Sequence, residues 1–171
     1  MKRQSAVFAS IPVGAAVDDF RARHHPRAIA RNLPPHVTIL PPFTRDVDDD
    51  EALVAAMERH FSGVASFRGQ LVAVGRFRRH VWLEPAPADR WRELVTATRD
   101  RFPQLNRDGD CEPVPHLTIA EIGKGASTRR VFDEAGEELT PLLPVSFEVQ
   151  DVGLYEVRRD GWHEVARFPL G

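Results

Sequence analysis

The feature of this sequence that most constrains its fold is a short motif that occurs twice. Pro35-His36-Val37-Thr38-Ile39-Leu40 has a second copy in Pro115-His116-Leu117-Thr118-Ile119-Ala120, and the two histidines lie 80 residues apart, close to half of the 171-residue chain. Residues i and i+2 of a β-strand point to the same face. Each copy is therefore predicted to be a strand with an aliphatic core face and a polar face that carries one histidine and one threonine.

Further similarities extend this repeat over most of the chain. Ser66-Phe67 recurs as Ser146-Phe147, Val74-Gly75 as Val152-Gly153, and Arg78-Arg79 with Trp82 as Arg158-Arg159 with Trp162. Self-similarity of this kind indicates a duplicated unit. We expect one domain over residues 1–171, with pseudo-repeat lobes at approximately 1–86 and 87–171. The predicted fold is α+β, duplicated and bilobal, with two antiparallel sheets and flanking helices related by a pseudo-twofold axis around a central cleft.

Hydrophobic periodicity places the other elements. Helices are predicted at 15–24, 50–61, 89–102 and 128–139, and strands at 5–11, 67–74, 80–84, 145–157 and 162–168. Pro41-Pro42 is predicted to close the first motif strand. The acidic run 46–50 is predicted to begin a helix, because acidic side chains favour a helix N-terminus. His24 and His25 lie at the end of the first helix, where a protonated imidazole interacts favourably with the helix dipole. This interaction accounts for them without a functional role.

Composition excludes several classes of function. The chain is 42% hydrophobic and 28% charged, which is typical of globular proteins, and its net charge of −2 gives no global basic field for long nucleic acids. No apolar run approaches the roughly 18 residues of a membrane span. Cys111 is the only cysteine, so an intrachain disulfide is impossible and a cysteine-based metal site is implausible. We expect a cytoplasmic monomer without a membrane partner.

Two histidines on opposite walls of a cleft can act as an acid–base pair. An unperturbed imidazole titrates near pH 6.5, so one ring can accept a proton while the other donates one. Threonine hydroxyls can donate hydrogen bonds to an anion between them, as the charge of a reacting phosphodiester requires. This chemistry needs no metal or cofactor, and the sequence offers no clear ligand set for a metal. The alternatives are an ordinary polar strand face and a module that holds phosphate without turnover.

At these residues the sequence resembles the two-histidine phosphoesterase superfamily, which includes the 2′-5′ RNA ligases and the RNA 2′,3′-cyclic phosphodiesterases. The resemblance rests on His36-Val37-Thr38-Ile39 and His116-Leu117-Thr118-Ile119, and residues 34–43 are particularly similar to the first family motif. It implies that His36 and His116 are the acid–base pair and that Thr38 and Thr118 bind phosphate. The implied reaction opens a cyclic phosphodiester of a small nucleotide or an RNA end. Ligation of RNA ends, and phosphate or RNA binding without catalysis, remain the alternatives.

The sequence departs from this family pattern just after the second motif. Many relatives of the RNA phosphodiesterase branch carry Arg or Lys there, whereas this chain has Glu121. Strand parity from His116 predicts that Glu121 points away from the cleft. Further candidates for substrate binding are two aromatic residues that could stack a base and two arginines that could line the cleft mouth: Phe43, Tyr155, Arg76 and Arg78. Core packing and solvated turns are the alternatives for them.

Overall fold

The structure is a computed structural model that describes residues 3–45 and 50–171. Within these ranges it has eight strands: β1 (Arg3–Ser10), β2 (His36–Arg45), β3 (Phe67–Arg76), β4 (His80–Ala86), β5 (Leu117–Glu121), β6 (Val145–Val149), β7 (Asp151–Arg158) and β8 (Gly161–Pro169). The helices are α1 (Ala15–His24), α2 (Pro26–Ala30), α3 (Asp50–Phe61), α4 (Ala88–Arg101) and α5 (Thr128–Leu139). None of the described helices is long and apolar enough to cross a membrane.

The four predicted helices are confirmed to within one residue. Local chemistry explains several of these ends: Ser127 caps α5 by accepting a hydrogen bond from the backbone N–H of Arg130, and Pro26 prevents α1 from continuing. Asp50 begins α3 as the acidic run predicts, while residues 46–49 of that run lie outside the described residues.

All eight strands form one antiparallel sheet, in the order β6-β3-β4-β5-β2-β1-β7-β8. The motif strands β2 and β5 are neighbours at its centre, where Val37 lies opposite Leu117. This short ladder joins two four-stranded halves, and each half contains strands from both halves of the sequence. The prediction of two separate sheets is therefore wrong, because the motif strands pair edge to edge.

The sheet curls, because β6 and β7 are separated only by Gln150. β6 pairs with β3 at one end of the strand order, whereas β7 pairs with β1 and β8 at the other end. The two Cα steps from Val149 to Asp151 cover at most about 7 Å, so the two ends of the sheet must approach each other. The single long strand predicted at 145–157 is thus two strands that serve different halves.

Strand β2 continues through Pro41 and Pro42 to Arg45, contrary to the prediction that these prolines end it. The pairing with β1 shifts register at this point: Leu40 lies opposite Val7, and Phe43 lies opposite Ser5. Both prolines therefore lie in an irregular stretch opposite Ala6. Proline is tolerated there because a bulge releases residues from the regular ladder of hydrogen bonds.

Each face of the sheet carries an apolar cluster. The main core lies on the helix side, and its members include Val37, Ile39, Leu117 and Ile119 from the motif strands. A smaller cluster of Ala6, Phe8 and Tyr155 lies apart from it, with Leu33 and Trp162 packed against it. Because residues 5–9 of β1 are all buried, the strand is covered on both faces. The smaller cluster therefore supports the face of the sheet that carries the motif histidines.

Candidate active site

The register of β2 and β5 brings both motifs together on one face of the sheet. With Val37 opposite Leu117, His36 lies opposite Thr118 and Thr38 opposite His116, a set that we call the His/Thr quartet. Opposite Cβ atoms in such a pair are about 5 Å apart, and the diagonal between the two histidines is about 7–8 Å. The histidines thus lie on adjacent strands, not on the facing walls of two lobes, at a separation that can flank one phosphate.

Both histidines are held by the same backbone contact. Nδ1 of His36 lies 2.7 Å from the carbonyl oxygen of Pro34, and Nδ1 of His116 lies 2.7 Å from that of Val114. A carbonyl oxygen can only accept, so Nδ1 carries the proton in each ring and donates it. Pro35 and Pro115 restrict the residues before them to extended conformations. The carbonyl groups of Pro34 and Val114 are therefore placed in the same way relative to the two histidine rings. In the neutral form, Nε2 of each ring is therefore left with its lone pair for a substrate.

Burial keeps both imidazoles neutral in the free protein. It lowers the pKa of His36 to about 4; the hydrogen bond to Pro34 opposes this shift, and the charges of Arg21, His116 and His25 add to it. The ring of Phe8 covers His36 at a centroid distance of 4.2 Å. Burial also lowers the pKa of His116, against the hydrogen bond to Val114 and together with the charge of His80.

Two glycines allow aromatic rings to lie on this face of the sheet. A Cβ atom on Gly75 would lie 2.4 Å from the ring of Trp82, and one on Gly153 would lie 2.5 Å from the ring of Tyr155. Trp82 packs beside His116 at a centroid distance of 6.1 Å, and Tyr155 stacks on Phe8 at 4.7 Å. The repeated Val-Gly pairs in the sequence therefore make room for the rings that support the two histidines.

A β-bulge places Glu121 on the same face as the quartet. Trp82 pairs with Thr118 but Val81 pairs with Ala120, so Ile119 is an extra residue in β5. Ile119 and Ala120 are both buried in the core, and Glu121 then lies opposite His80 on the other face. The prediction that Glu121 points away is wrong because one inserted residue reverses strand parity.

The structure brings His25 to this end of the site, a residue that the sequence interpretation assigned no role. Its Nε2 lies 3.9 Å from Oε2 of Glu121, and its side chain is only 12% exposed. Its buried Nδ1 has no hydrogen-bond partner among the described residues. His24, by contrast, turns away to Glu134. The position of His25 directly before the helix-breaking Pro26 was the one local signal that it leaves the helix.

Cavities flank the quartet at both ends. One of about 540 Å³ is lined by Thr38 and His116 together with Phe77, Pro41 and the loop before β5. The other, of about 460 Å³, is lined by His25, Arg27, Arg79, Glu121 and Lys124. A search of the described ranges finds no group of three or more His, Cys, Asp or Glu side chains placed to hold a metal ion.

The model of the 2′-5′ RNA ligase superfamily matches residues 10–161, which is most of the chain. The chain belongs to this superfamily. The resemblance noted in the sequence is thereby confirmed. A comparison with curated proteins finds no match.

Solved structures of the superfamily fold match over nearly the whole chain. Apo Escherichia coli LigT has a TM-score of 0.68 at 19% identity, covering 99% of this chain and 98% of LigT. LigT complexed with 3′-AMP has a TM-score of 0.66 at 18% identity, covering 99% of both chains. Kluyveromyces marxianus Usb1 with uridine monophosphate has a TM-score of 0.56 at 9% identity, covering 98% of this chain and 99% of Usb1. This chain therefore has a fold similar to that of these proteins.

The four further candidates occupy different places in this superfamily member. Phe43 is 2% exposed in the main core, and the guanidinium of Arg76 lies over Phe132 of α5, so neither lies at the quartet. Arg78 is exposed in the turn between β3 and β4. Tyr155 lies on the quartet's face, where its hydroxyl donates to Glu164 and its ring backs Phe8. Tyr155 thus packs against the ring that covers a catalytic candidate.

Proposed function

We propose that this member of the 2′-5′ RNA ligase superfamily is a metal-independent phosphodiesterase. It opens the 2′,3′-cyclic phosphate of a nucleotide or an RNA end with water, using His36 and His116 as general base and general acid. The observation that carries this proposal is the matched pair of Nδ1–carbonyl hydrogen bonds. They leave two Nε2 atoms on one face, diagonal to each other and each opposite a threonine. Two titrating rings in this arrangement suit proton transfer better than simple phosphate binding, for which arginine is the stronger ligand.

Each histidine transfers one proton in the proposed reaction. The neutral imidazole takes a proton from water through Nε2 as the water oxygen bonds to phosphorus. The bond from phosphorus to one ribose oxygen breaks, and the imidazolium of the second histidine gives its Nε2 proton to that oxygen. The product is a ribose phosphomonoester, and the two rings have exchanged protonation states. Thr38 and Thr118 donate hydrogen bonds to the non-bridging oxygens, whose charge increases in the transition state.

The protonated histidine forms only when the substrate is bound. Because the pKa values of both rings are lowered in the free protein, both are neutral near pH 7. A bound phosphate anion favours an imidazolium beside it and raises the pKa of the nearer ring. The rate should therefore depend on pH as a bell-shaped curve whose two limbs belong to the coupled pair.

Hydrolysis of nucleoside 2′,3′-cyclic phosphates and cyclic-ended oligonucleotides, measured in the presence of EDTA, tests the proposal. His36→Ala and His116→Ala should each remove nearly all activity. The double variant should be little worse than either single one, because the two residues act as a unit. His163→Ala, on the edge strand β8, is the matched control and should retain activity. Activity that survives His116→Ala with a flat pH profile, or that disappears with EDTA, would contradict the proposal.

Ligation of RNA ends is the second candidate, and the equivalence of the two histidines favours it as the reverse reaction. Both rings make the same backbone contact, so each can serve as acid or base when a ribose hydroxyl attacks in place of water. Incubating a cyclic-ended oligonucleotide with a 5′-hydroxyl oligonucleotide at high concentration tests for a joined product. A protein that binds 3′-AMP but neither opens nor joins cyclic ends would instead be a non-catalytic phosphate-binding module.

A further inference from the structure

We propose that the cavity at the His36 end of the quartet binds a second phosphate of the substrate. This is a phosphate on the 5′ oxygen of the same nucleoside that carries the cyclic phosphate, either as a free monoester or as the internucleotide diester of an RNA end. The inference rests on the proposed function, because it assumes that the quartet holds the cyclic phosphate.

Three cations line this cavity without carboxylate partners. Arg27, Arg79 and Lys124 are exposed around this one cavity, and none of them forms an ion pair within the described parts of the chain. Nε of Arg79 donates to the carbonyl oxygen of Ile122, which orients its guanidinium. Exposed cations that converge on a concave surface without protein counter-charges form a binding site for an anion.

The one carboxylate that lines the cavity lies near a histidine. Glu121 lies 3.9 Å from Nε2 of His25, and the charge of this carboxylate raises the pKa of His25 against the larger effect of burial and against the charges of Arg21 and His80. The three cations outnumber this one carboxylate, so the lining keeps a net positive charge while His25 is neutral. A bound anion favours protonated His25 and so further offsets the carboxylate.

The cavity is one nucleotide away from the reacting phosphate. Glu121 follows Thr118 by three residues along β5, and Thr118 lies opposite His36. Because Ile119 is bulged, this stretch spans only the two residues from Trp82 to His80 on β4, which is about 7 Å at about 3.3 Å per strand residue. The scale fits a substrate whose cyclic phosphate lies in the quartet while the 5′ oxygen of the same ribose points toward the cavity. Binding of this second phosphate does not require a long RNA, which agrees with the net charge of −2.

Matched substrates separate the cavity from the catalytic centre. We would compare kcat/KM for an adenosine 2′,3′-cyclic phosphate with a 5′-hydroxyl, a 5′-phosphate, or a 5′-linked nucleotide. We expect the wild type to have a higher kcat/KM for at least one of the two 5′-phosphorylated substrates. A preference for the 5′-phosphate identifies a free nucleotide as the substrate, and a preference for the 5′-linked nucleotide identifies an RNA end. Lys124→Gln and Arg27→Gln should each reduce that preference about fivefold and leave the 5′-hydroxyl substrate unchanged. Glu121→Gln should increase the preference, and high salt should weaken it.

A binding experiment gives the same answer without turnover. Adenosine 3′,5′-bisphosphate should bind more tightly than 3′-AMP to the wild type but not to the Lys124→Gln/Arg27→Gln double variant. Arg59→Gln, an exposed arginine on α3, is the matched control and should preserve the difference. Equal affinities and equal kcat/KM values in the wild type, or a preference that survives the double variant, would overturn this inference. Hydrolysis of the 5′-hydroxyl substrate tests the proposed function separately. If neither the wild type nor any variant hydrolysed this substrate, the proposed function itself would be rejected.

Discussion

At the scale of single residues, the site consists of two histidines that are oriented by backbone and kept neutral by burial. Each donates from Nδ1 to the carbonyl two residues earlier, so no side chain is needed to fix the tautomer. The rings of Phe8 and Phe77, at centroid distances of 4.2 and 5.0 Å, exclude water from one side of each imidazole. Burial lowers the pKa of both rings, and in the proposed reaction the phosphate anion of the substrate favours the imidazolium form of one of them.

The threonines should contribute less than the histidines but measurably. Thr38→Val and Thr118→Val keep the shape of the side chain and delete a hydrogen-bond donor to the phosphate. We expect each to lower kcat/KM by an amount equivalent to about 2–4 kcal/mol at most. Thr96→Val, on the exposed face of α4, is the control and should have no effect. Wild-type kinetics in both quartet variants would show that the hydroxyls do not contact the substrate.

The stability of the protein should depend on pH through His36. Its pKa is about 4 in the folded protein and 6.5 in the unfolded chain, so between these values only the unfolded chain binds the proton. The free energy of unfolding should therefore fall as pH decreases from 6.5 toward 4, with up to about 3 kcal/mol due to this residue. Urea unfolding at pH 7.5 and pH 5 should show a smaller decrease for His36→Gln than for the wild type. Equal decreases would mean that His36 is not buried as described.

At the scale of secondary-structure elements, irregular positions shape the site more than regular ones. The extra residue Ile119 turns Glu121 onto the quartet's face, and the prolines of β2 lie in a register shift that leaves the motif pairing intact. Gly75 provides the space under Trp82. Each irregularity is short, yet the bulge at Ile119 and the space at Gly75 determine which side chains lie on the quartet's face.

A methyl group at Gly75 should damage the site without unfolding the protein. In Gly75→Ala the new Cβ would meet the ring of Trp82 at 2.4 Å, so the indole must move and disturb His116. We expect kcat/KM to fall roughly 10- to 100-fold, as for small misplacements of catalytic groups, with an altered near-UV circular dichroism spectrum. Gly136→Ala, on α5, has nothing within 4 Å of its new Cβ and serves as the control. An unchanged rate in Gly75→Ala would mean that Trp82 does not support His116.

At the scale of the whole molecule, one buried carboxylate joins the strands of the second half-sheet. Glu156 on β7 accepts hydrogen bonds from Arg3 and Arg158, and it lies 3.5 Å from the buried Arg45 at the end of β2. Burial alone would raise the pKa of Glu156, but these arginines outweigh it and lower that pKa. One ionised group thereby holds together the ends of the three strands β1, β2 and β7.

Removing this carboxylate should destabilise the fold substantially. Glu156→Gln leaves the Arg45 guanidinium buried with Asp50 as its one carboxylate partner within residues 3–45 and 50–171. We expect the free energy of unfolding to fall by about 3 kcal/mol, as when one partner of a buried pair is removed. Glu148→Gln is the matched control, because its partner Arg68 is 90% exposed and the expected change is below about 1 kcal/mol. Similar losses in both variants would show that the Glu156 cluster is effectively solvated.

The sequence by itself determined the local features of this protein. The alternation in His36-Val37-Thr38 and His116-Leu117-Thr118 was sufficient to predict two strands. It also predicted which side chains share a face, because strand parity is fixed by backbone geometry. Helix positions followed from the apolar spacing within each helix, and the end of the first helix from Pro26. The two copies of the motif also carried the correct superfamily.

Only the tertiary structure decided how the motifs meet and what surrounds them. The pairing of Val37 with Leu117, the single-residue crossover at Gln150 and the bulge at Ile119 depend on which strand edges come together. Long-range pairing leaves no mark in local periodicity. For the same reason His25, eleven residues before His36, reaches Glu121 through the fold alone, and a carboxylate expected to face the core lies beside the quartet.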